Sequence, residues 1–188
     1  MRIIAGTVGG RRLKAPRGAA TRPTADKVRQ AIFNILAARG PAPERALDLY
    51  AGSGALGLEA LSRGAREAVL VESNAAAAEL IRDNASELGF AQAARVECAR
   101  VLDWLRAAAA GGAARGTFGW IFVDPPYESR ELGRALGGAA PLLDAGGALV
   151  VEHDARAEPA APDGLSLESR RRYGQTAVTF YTRGPSTP

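Results

Sequence analysis

Cysteine and histidine are almost absent from this 188-residue chain, which holds one of each, Cys98 and His153. A single cysteine excludes an internal disulfide, and one cysteine with one histidine cannot complete a Cys/His zinc site, so no metal centre is expected. Long apolar runs are missing as well. Gly, Arg or Asp interrupts every hydrophobic stretch well short of the roughly 18 residues a membrane span requires. The opening Met1-Arg2-Ile3-Ile4 lacks the apolar segment of a secretory signal. The expectation is a soluble, unexported protein of a reducing cytoplasm. The 47% hydrophobic content is enough to bury one continuous core, so residues 1–188 read as a single domain.

Charge is sparse in total and uneven in place. The formal net charge is +4, yet residues 1–39 alone carry +8: Arg2, Arg11, Arg12, Lys14, Arg17, Arg22, Lys27, Arg29 and Arg39 against the single acid Asp26, which leaves −4 for the rest. A basic arm on a mildly acidic body suits a polyanion, because cations beside phosphates release counterions. An Arg-rich solvated surface would look the same from charge alone.

From Ala46 onward, short apolar runs alternate with longer amphipathic or Ala-rich segments. This is the rhythm of βα units building a mostly parallel sheet, a Rossmann-like α/β fold. Strands are expected over Ala46–Tyr50, Ala68–Glu72, Ala94–Cys98, Trp120–Asp124 and Ala148–Glu152. Helices are expected over Leu56–Arg63, Ala75–Leu88, Val101–Ala110 and Leu132–Leu143, with Gly111-Gly112 and Gly146-Gly147 as loops. Leu165–Tyr173 and Thr176–Arg183, separated by Gly174-Gln175, predict an antiparallel hairpin at the far edge of the sheet. Residues 1–23 form a basic arm in which Arg2–Ala5 and Arg11–Lys14 predict a small hairpin. A helix follows, with Thr24 as its N-cap and Val28, Ile32, Ile35 and Leu36 on one face. That helix opens the core segment, residues 24–188.

Two motifs carry chemistry. Asp48-Leu49-Tyr50-Ala51-Gly52-Ser53-Gly54 runs from a strand end into a helix, where glycines let the backbone turn sharply and approach a ligand. Glu72 closes the next strand with a carboxylate, followed by Ser73; such an acid can accept hydrogen bonds from both hydroxyls of a ribose. An adenosine-type cofactor is the expected ligand. Gly52-Ser53-Gly54-Ala55-Leu56-Gly57 also matches G-x-G-x-x-G, which keeps a nicotinamide-dependent oxidoreductase open.

The second motif is Asp124-Pro125-Pro126-Tyr127, at the end of the apolar run Ile121-Phe122-Val123. It suits methylation of an aromatic amine, whose lone pair is delocalised into the ring and must be made available. The Asp124 carboxylate and the Pro125 carbonyl can accept both amine hydrogens, the two prolines fix the geometry, and Tyr127 offers a face on which a base can stack. The oxidoreductase reading leaves this motif and the basic arm unexplained. A non-catalytic RNA-binding protein that kept a cofactor fold is the third reading.

With these motifs assembled, the chain resembles the bacterial 16S ribosomal RNA guanine-N2 methyltransferase family called RsmD over nearly its whole length. The resemblance rests on Arg2-Ile3-Ile4-Ala5-Gly6, Gly10-Arg11-Arg12-Leu13, Thr21-Arg22-Pro23-Thr24-Ala25-Asp26-Lys27-Val28-Arg29 and Phe33-Asn34-Ile35-Leu36. It continues through Asp48–Gly54 and Ala55–Gly64 to Val71-Glu72, Asp124–Tyr127 and Tyr173-Gly174-Gln175-Thr176. It implies S-adenosylmethionine as methyl donor and the N2 of one guanine in 16S rRNA, within the small ribosomal subunit or an assembly intermediate, as acceptor. The same chemistry serves adenine N6, and only the resemblance selects guanine. It further implies that Asp48, Ala51, Gly52, Ser53, Gly54, Glu72, Ser73, Arg100, Val101 and Asp124 hold the cofactor and that Asp124–Tyr127 hold the target base. Arg2, Arg11, Arg12, Lys14, Arg22, Thr24, Lys27, Arg29 and Asn34 would meet RNA. Arg100 departs from the family's small polar or acidic residue beside the adenine, leaving main-chain groups to make that contact.

Other residues carry plainer expectations: Cys98 a small core residue, His153 a surface residue at a strand end, Trp104 and Trp120 packing. Arg170-Arg171-Arg172 is either a solvated edge or an RNA contact.

Overall fold

The computed structural model describes residues 1–15, 23–111, 117–126 and 131–184, with the side chains of residues 23–25 outside that description. A helix, α1 (Pro23–Ala38), precedes β1 (Arg45–Leu49), α2 (Ala55–Ser62), β2 (Glu67–Glu72), α3 (Ala75–Leu88), β3 (Ala94–Cys98), α4 (Val101–Ala110), β4 (Phe118–Val123) and α5 (Leu132–Ala139). β5 (Leu143–Asp154), β6 (Ser166–Tyr173) and β7 (Thr176–Thr182) complete the sheet. Its seven strands run in the order β3-β2-β1-β4-β5-β7-β6, parallel from β3 to β5 and antiparallel for β7 and β6.

Strand alternation explains the layering. Trp120 and Phe122 of β4, Ala148 and Val150 of β5, and Val178 and Phe180 of β7 share one core layer with α1, α2 and α3. Ile121 and Val123, Leu149 and Val151, and Tyr181 point to the other layer, toward α4 and α5. Because helices cover both faces, β4 is buried along its whole length, as expected of a central parallel strand. α1 presents Val28, Ile32, Phe33 and Leu36 to this core, and the Phe33 ring packs 5.8 Å from Trp120 and 5.5 Å from Phe122.

Several expectations need correction. α1 begins at Pro23, so Thr24 lies inside its first turn; proline suits that place because the missing N–H would have no partner there. Gly146 and Gly147 belong to β5, which starts at Leu143, and a register shift against β4 absorbs them as a bulge. The expected helix over Leu132–Leu143 ends at Ala139 and tightens into a 3-10 turn at Ala140–Leu142, around Pro141. Cys98 is exposed, because β3 is the sheet's outer strand. His153 is buried: β7 covers it, Nε2 pairs with Thr179 Oγ1 at 2.8 Å and Nδ1 with the Asp154 carbonyl at 2.8 Å, and burial lowers its pKa. Trp120 is buried in the layer beneath α1, and Trp104 packs, partly covered, against the opposite layer. Of the arginine run, Arg171 and Arg172 are exposed, while Arg170 pairs with Glu158 and caps the carbonyls of Ala155 and Ala157.

Candidate active site

Between β1 and α2 the chain passes through three residues of positive φ: Tyr50 at 66°, Gly52 at 59° and Gly54 at 78°. Glycine enters that region freely, whereas a tyrosine is held there at a cost of about 1–3 kcal/mol, as is common beside ligand sites. Helix α2 also lies close on the sheet. A Cβ at Gly57 would stand 2.7 Å from Cδ2 of Leu70.

Two carboxylates fix this loop. Asp48 Oδ2 accepts the Gly57 N–H at 2.8 Å, and Glu72 Oε2 accepts the Gly52 N–H at 2.9 Å while its Oε1 accepts the Asn74 N–H at 2.7 Å. Asn84 donates to the Ser53 carbonyl at 3.1 Å. Burial pushes the Asp48 carboxyl up to about 7, against the pull of the Gly57 N–H and with a further push from Glu72.

The carboxyl ends of the parallel strands open onto a cleft of about 900 Å³, within the range that takes a cofactor-sized ligand. Strand order reverses between β1 and β4, so the cleft sits at the topological switch point. Gly52, Glu72, Ser73, Arg100 and Val101 line one half, and Asp124, Pro125 and Pro126 the other. Asp48, Ala51, Ser53 and Gly54 lie behind that lining. Asp48 and Ser53 are buried, and Gly54 caps α2 with its backbone. The Arg100 guanidinium pairs with Glu131, 3.4 Å distant, and both residues line the cleft, so a long cation stands at the start of α4 where the family pattern has a small polar or acidic residue.

Asp124 is held well above the usual carboxylate range by burial, by Glu152 and by Asp48; burial also raises Glu152. Tyr50, Glu131, Glu152 and the Tyr173–Thr176 turn line the cleft too, and none was marked as a site residue from the sequence. The Tyr50 hydroxyl is buried without a partner among the described residues. Glu152 carries the one signal that could have been read: like Glu72, it is an acid directly after an apolar strand run.

A sequence profile of the family described as "Conserved hypothetical protein 95" matches residues 1–182. The Escherichia coli protein named ribosomal RNA small subunit methyltransferase D is 36% identical over 193 residues, covering 97% of this chain and 90% of its own. A Bacillus subtilis protein provisionally named as the rRNA methyltransferase YlbH is 38% identical, covering 97% and 99%. The chain belongs to the RsmD family. A solved Escherichia coli protein, provisionally assigned as a methyltransferase, superposes on it with a TM-score of 0.82 at 35% identity, covering 99% of both chains. The RsmD-type fold is thus a Rossmann-like methyltransferase fold.

In this RsmD-family chain residues 1–15 of the N-terminal arm form a tight hairpin closed by one bridge, Arg2 to Arg12, and by backbone bonds between Ile3 and Gly10 and between Leu13 and Met1. Ile3 and Leu13 are buried, while Arg2, Arg11, Arg12 and Lys14 face outward, as do Lys27 and Asn34 on α1. Arg11 donates to the Glu87 carbonyl at 2.7 Å, and Lys14 pairs with Glu87 at 2.6 Å. Arg29 does not join that face. It is 5% exposed and turned inward to Asp26, the Arg2 carbonyl and Glu59, which corrects its assignment to RNA. Arg22 and Tyr127 lie outside the described residues, as does the side chain of Thr24.

Proposed function

We propose that this chain transfers a methyl group from S-adenosylmethionine to the exocyclic N2 of a guanine in 16S rRNA, within the small ribosomal subunit or an assembly intermediate, in the cytoplasm. The observation that carries this reading is one cleft at the switch point, in which a glycine loop backed by Glu72 meets Asp124-Pro125-Pro126 on the adjoining strand. The name of the Escherichia coli relative supports ribosomal RNA as the substrate and the small subunit as its setting.

The residues present fit the cofactor. A Cβ at Gly52 would meet nothing nearer than the Tyr50 carbonyl at 3.9 Å, so glycine leaves that part of the cleft open. Glu72 keeps lone pairs beyond its bonds to Gly52 and Asn74, enough to accept ribose hydroxyls. The Tyr50 hydroxyl, without a partner among the described residues, offers a further polar contact. S-adenosylmethionine supplies a methyl group already activated on a sulfonium, so the protein's work is positioning.

Asp124 and the Pro125 carbonyl accept the two amine hydrogens and turn the nitrogen lone pair toward the methyl group. Each proline has φ locked and no N–H to compete. Tyr127 offers a stacking face for the base. As the nitrogen gains its methyl it gives up one proton, and Asp124, held high by burial and by Glu152, is suited to receive it. The outward cations of the hairpin and of α1 then hold phosphates around the mouth.

The test is transfer of radiolabel from S-adenosylmethionine to small subunits, naked 16S RNA and duplex DNA from cells lacking the enzyme, followed by nucleoside mass spectrometry. N2-methylguanosine in subunits is the expected product. Label in N6-methyladenine would overturn the acceptor, and no transfer to any of these substrates would overturn the reaction.

A further inference from the structure

The chemistry above leaves Glu152 without a direct part, although it lines the same cleft. β4 and β5 are parallel neighbours with Val123 opposite Val151, so Asp124, just past the end of β4, and Glu152, still within β5, occupy the next positions side by side, on strands about 4.8 Å apart. Sheet order gives each carboxylate its side. Glu72 and Gly52 stand over β2 and β1, in the cofactor half. Glu152 stands one strand beyond Asp124 in the opposite direction, beside the turn that joins β6 to β7.

Nothing among the described residues offsets the desolvation of these two acids. Burial acts on Glu152, while burial, Glu152 and Asp48 all act on Asp124 in the same direction. Ionised, both are acceptors only, and a donor carried in by a ligand would offset that desolvation. The Watson–Crick edge of guanine offers that complement, with N1–H directly beside the N2 amine. Adenine places its amine beside a bare N1, which is an acceptor.

We propose that Glu152 is a specificity-determining residue that accepts the N1–H of the guanine whose N2 amine is held by Asp124. The inference rests on the methyl-transfer reading and deepens it. Two acceptors side by side match two donors side by side. With adenine, or with any purine lacking N1–H, the N1 lone pair would face the Glu152 carboxylate. A site built to bond an N–H rejects the analogue lacking it far more strongly than an apolar pocket rejects a missing methylene. Guanine selection would then reside on β5, in a residue that never touches the cofactor.

The test uses small subunits reconstituted with guanine, adenine or 2-aminopurine at the position the wild-type enzyme methylates. 2-Aminopurine keeps the amine on C2 but has a bare N1 and no O6, so the comparison with Glu152→Gln is what assigns the difference to the N1 contact. Wild type is expected to prefer guanine over 2-aminopurine by about 100-fold or more in kcat/KM. Glu152→Gln, whose amide can either accept or donate, is expected to lower guanine transfer about tenfold and to narrow that preference about tenfold. Its Kd for S-adenosylmethionine should stay unchanged, which also reports a folded cleft. An unchanged preference in Glu152→Gln overturns the inference, and so does a loss of cofactor affinity that lowers all acceptors alike. Failure of the underlying reading shows separately, as a wild-type enzyme that methylates no guanine amine.

Discussion

Glu59 Oε2 accepts the backbone N–H of Ile4 at 2.6 Å, joining residues 55 apart in sequence. The same carboxylate accepts the Ala5 N–H at 3.0 Å and pairs with Arg63 at 2.7 Å and Arg29 at 3.9 Å, with no exposure of its own. Glu59→Ala would leave the buried Arg29 with Asp26 as its remaining counter-charge and two N–H groups without their acceptor, at an expected cost of about 3–5 kcal/mol in urea denaturation. Glu59→Gln, which still accepts, should cost less. A loss below about 1 kcal/mol for the alanine variant would mean that other contacts hold the hairpin.

Asp124→Ala removes the acceptor assigned to the target amine while leaving the glycine loop and Glu72 in place. Methyl transfer should fall by about 100-fold or more with S-adenosylmethionine affinity little changed, read by rate assay and calorimetry side by side. Near-normal turnover would take Asp124 out of the reaction.

Reversing Arg11 and Arg12 to Glu should weaken binding to small subunits and flatten its dependence on salt. Each lost phosphate contact removes roughly one unit from the slope of log K against log salt. Both side chains are exposed and the Arg11 bond to the Glu87 carbonyl is an exposed one, so thermal stability should fall by no more than about 1 kcal/mol. Equal slopes for variant and wild type would assign the arm's charge to solvent.

Asp48 gives a pH signature. Its folded carboxyl sits at about 7 because of burial, above its value in the unfolded chain. An acid raised in this way contributes stability that is fully present below about pH 4 and is lost as pH rises through about 7. Asp48→Asn keeps an acceptor for the Gly57 N–H and removes the titration. Wild type should therefore lose up to about 4 kcal/mol more than the variant between those pH values, measured by denaturation at each pH. Parallel pH profiles would place the titration elsewhere.

Local pattern made most elements legible. α3, α4 and β3 fall where helical and strand periodicity put them. What the pattern could not supply is which strand lies beside which. Cys98 sits on a strand like any other until sheet order makes β3 the outer one. His153 is covered by Thr179, 26 residues later, once β7 pairs with β5. Arg29 is one cation among nine in the first 39 residues, and what turns it inward is the Arg2 carbonyl, Asp26 and Glu59, the last hidden in an ordinary helical run. The two motifs announced the cleft because each is contiguous. Glu152 joins them only through the register of β4 and β5.

The loop between β1 and α2 takes its shape from the chain's own acids, Glu72 on Gly52 and Asp48 on Gly57. Its conformational entropy is thus surrendered during folding rather than at the encounter with a ligand. A ligand arriving at this end of the sheet would therefore meet a contour set before it comes, like a key offered to a cut lock.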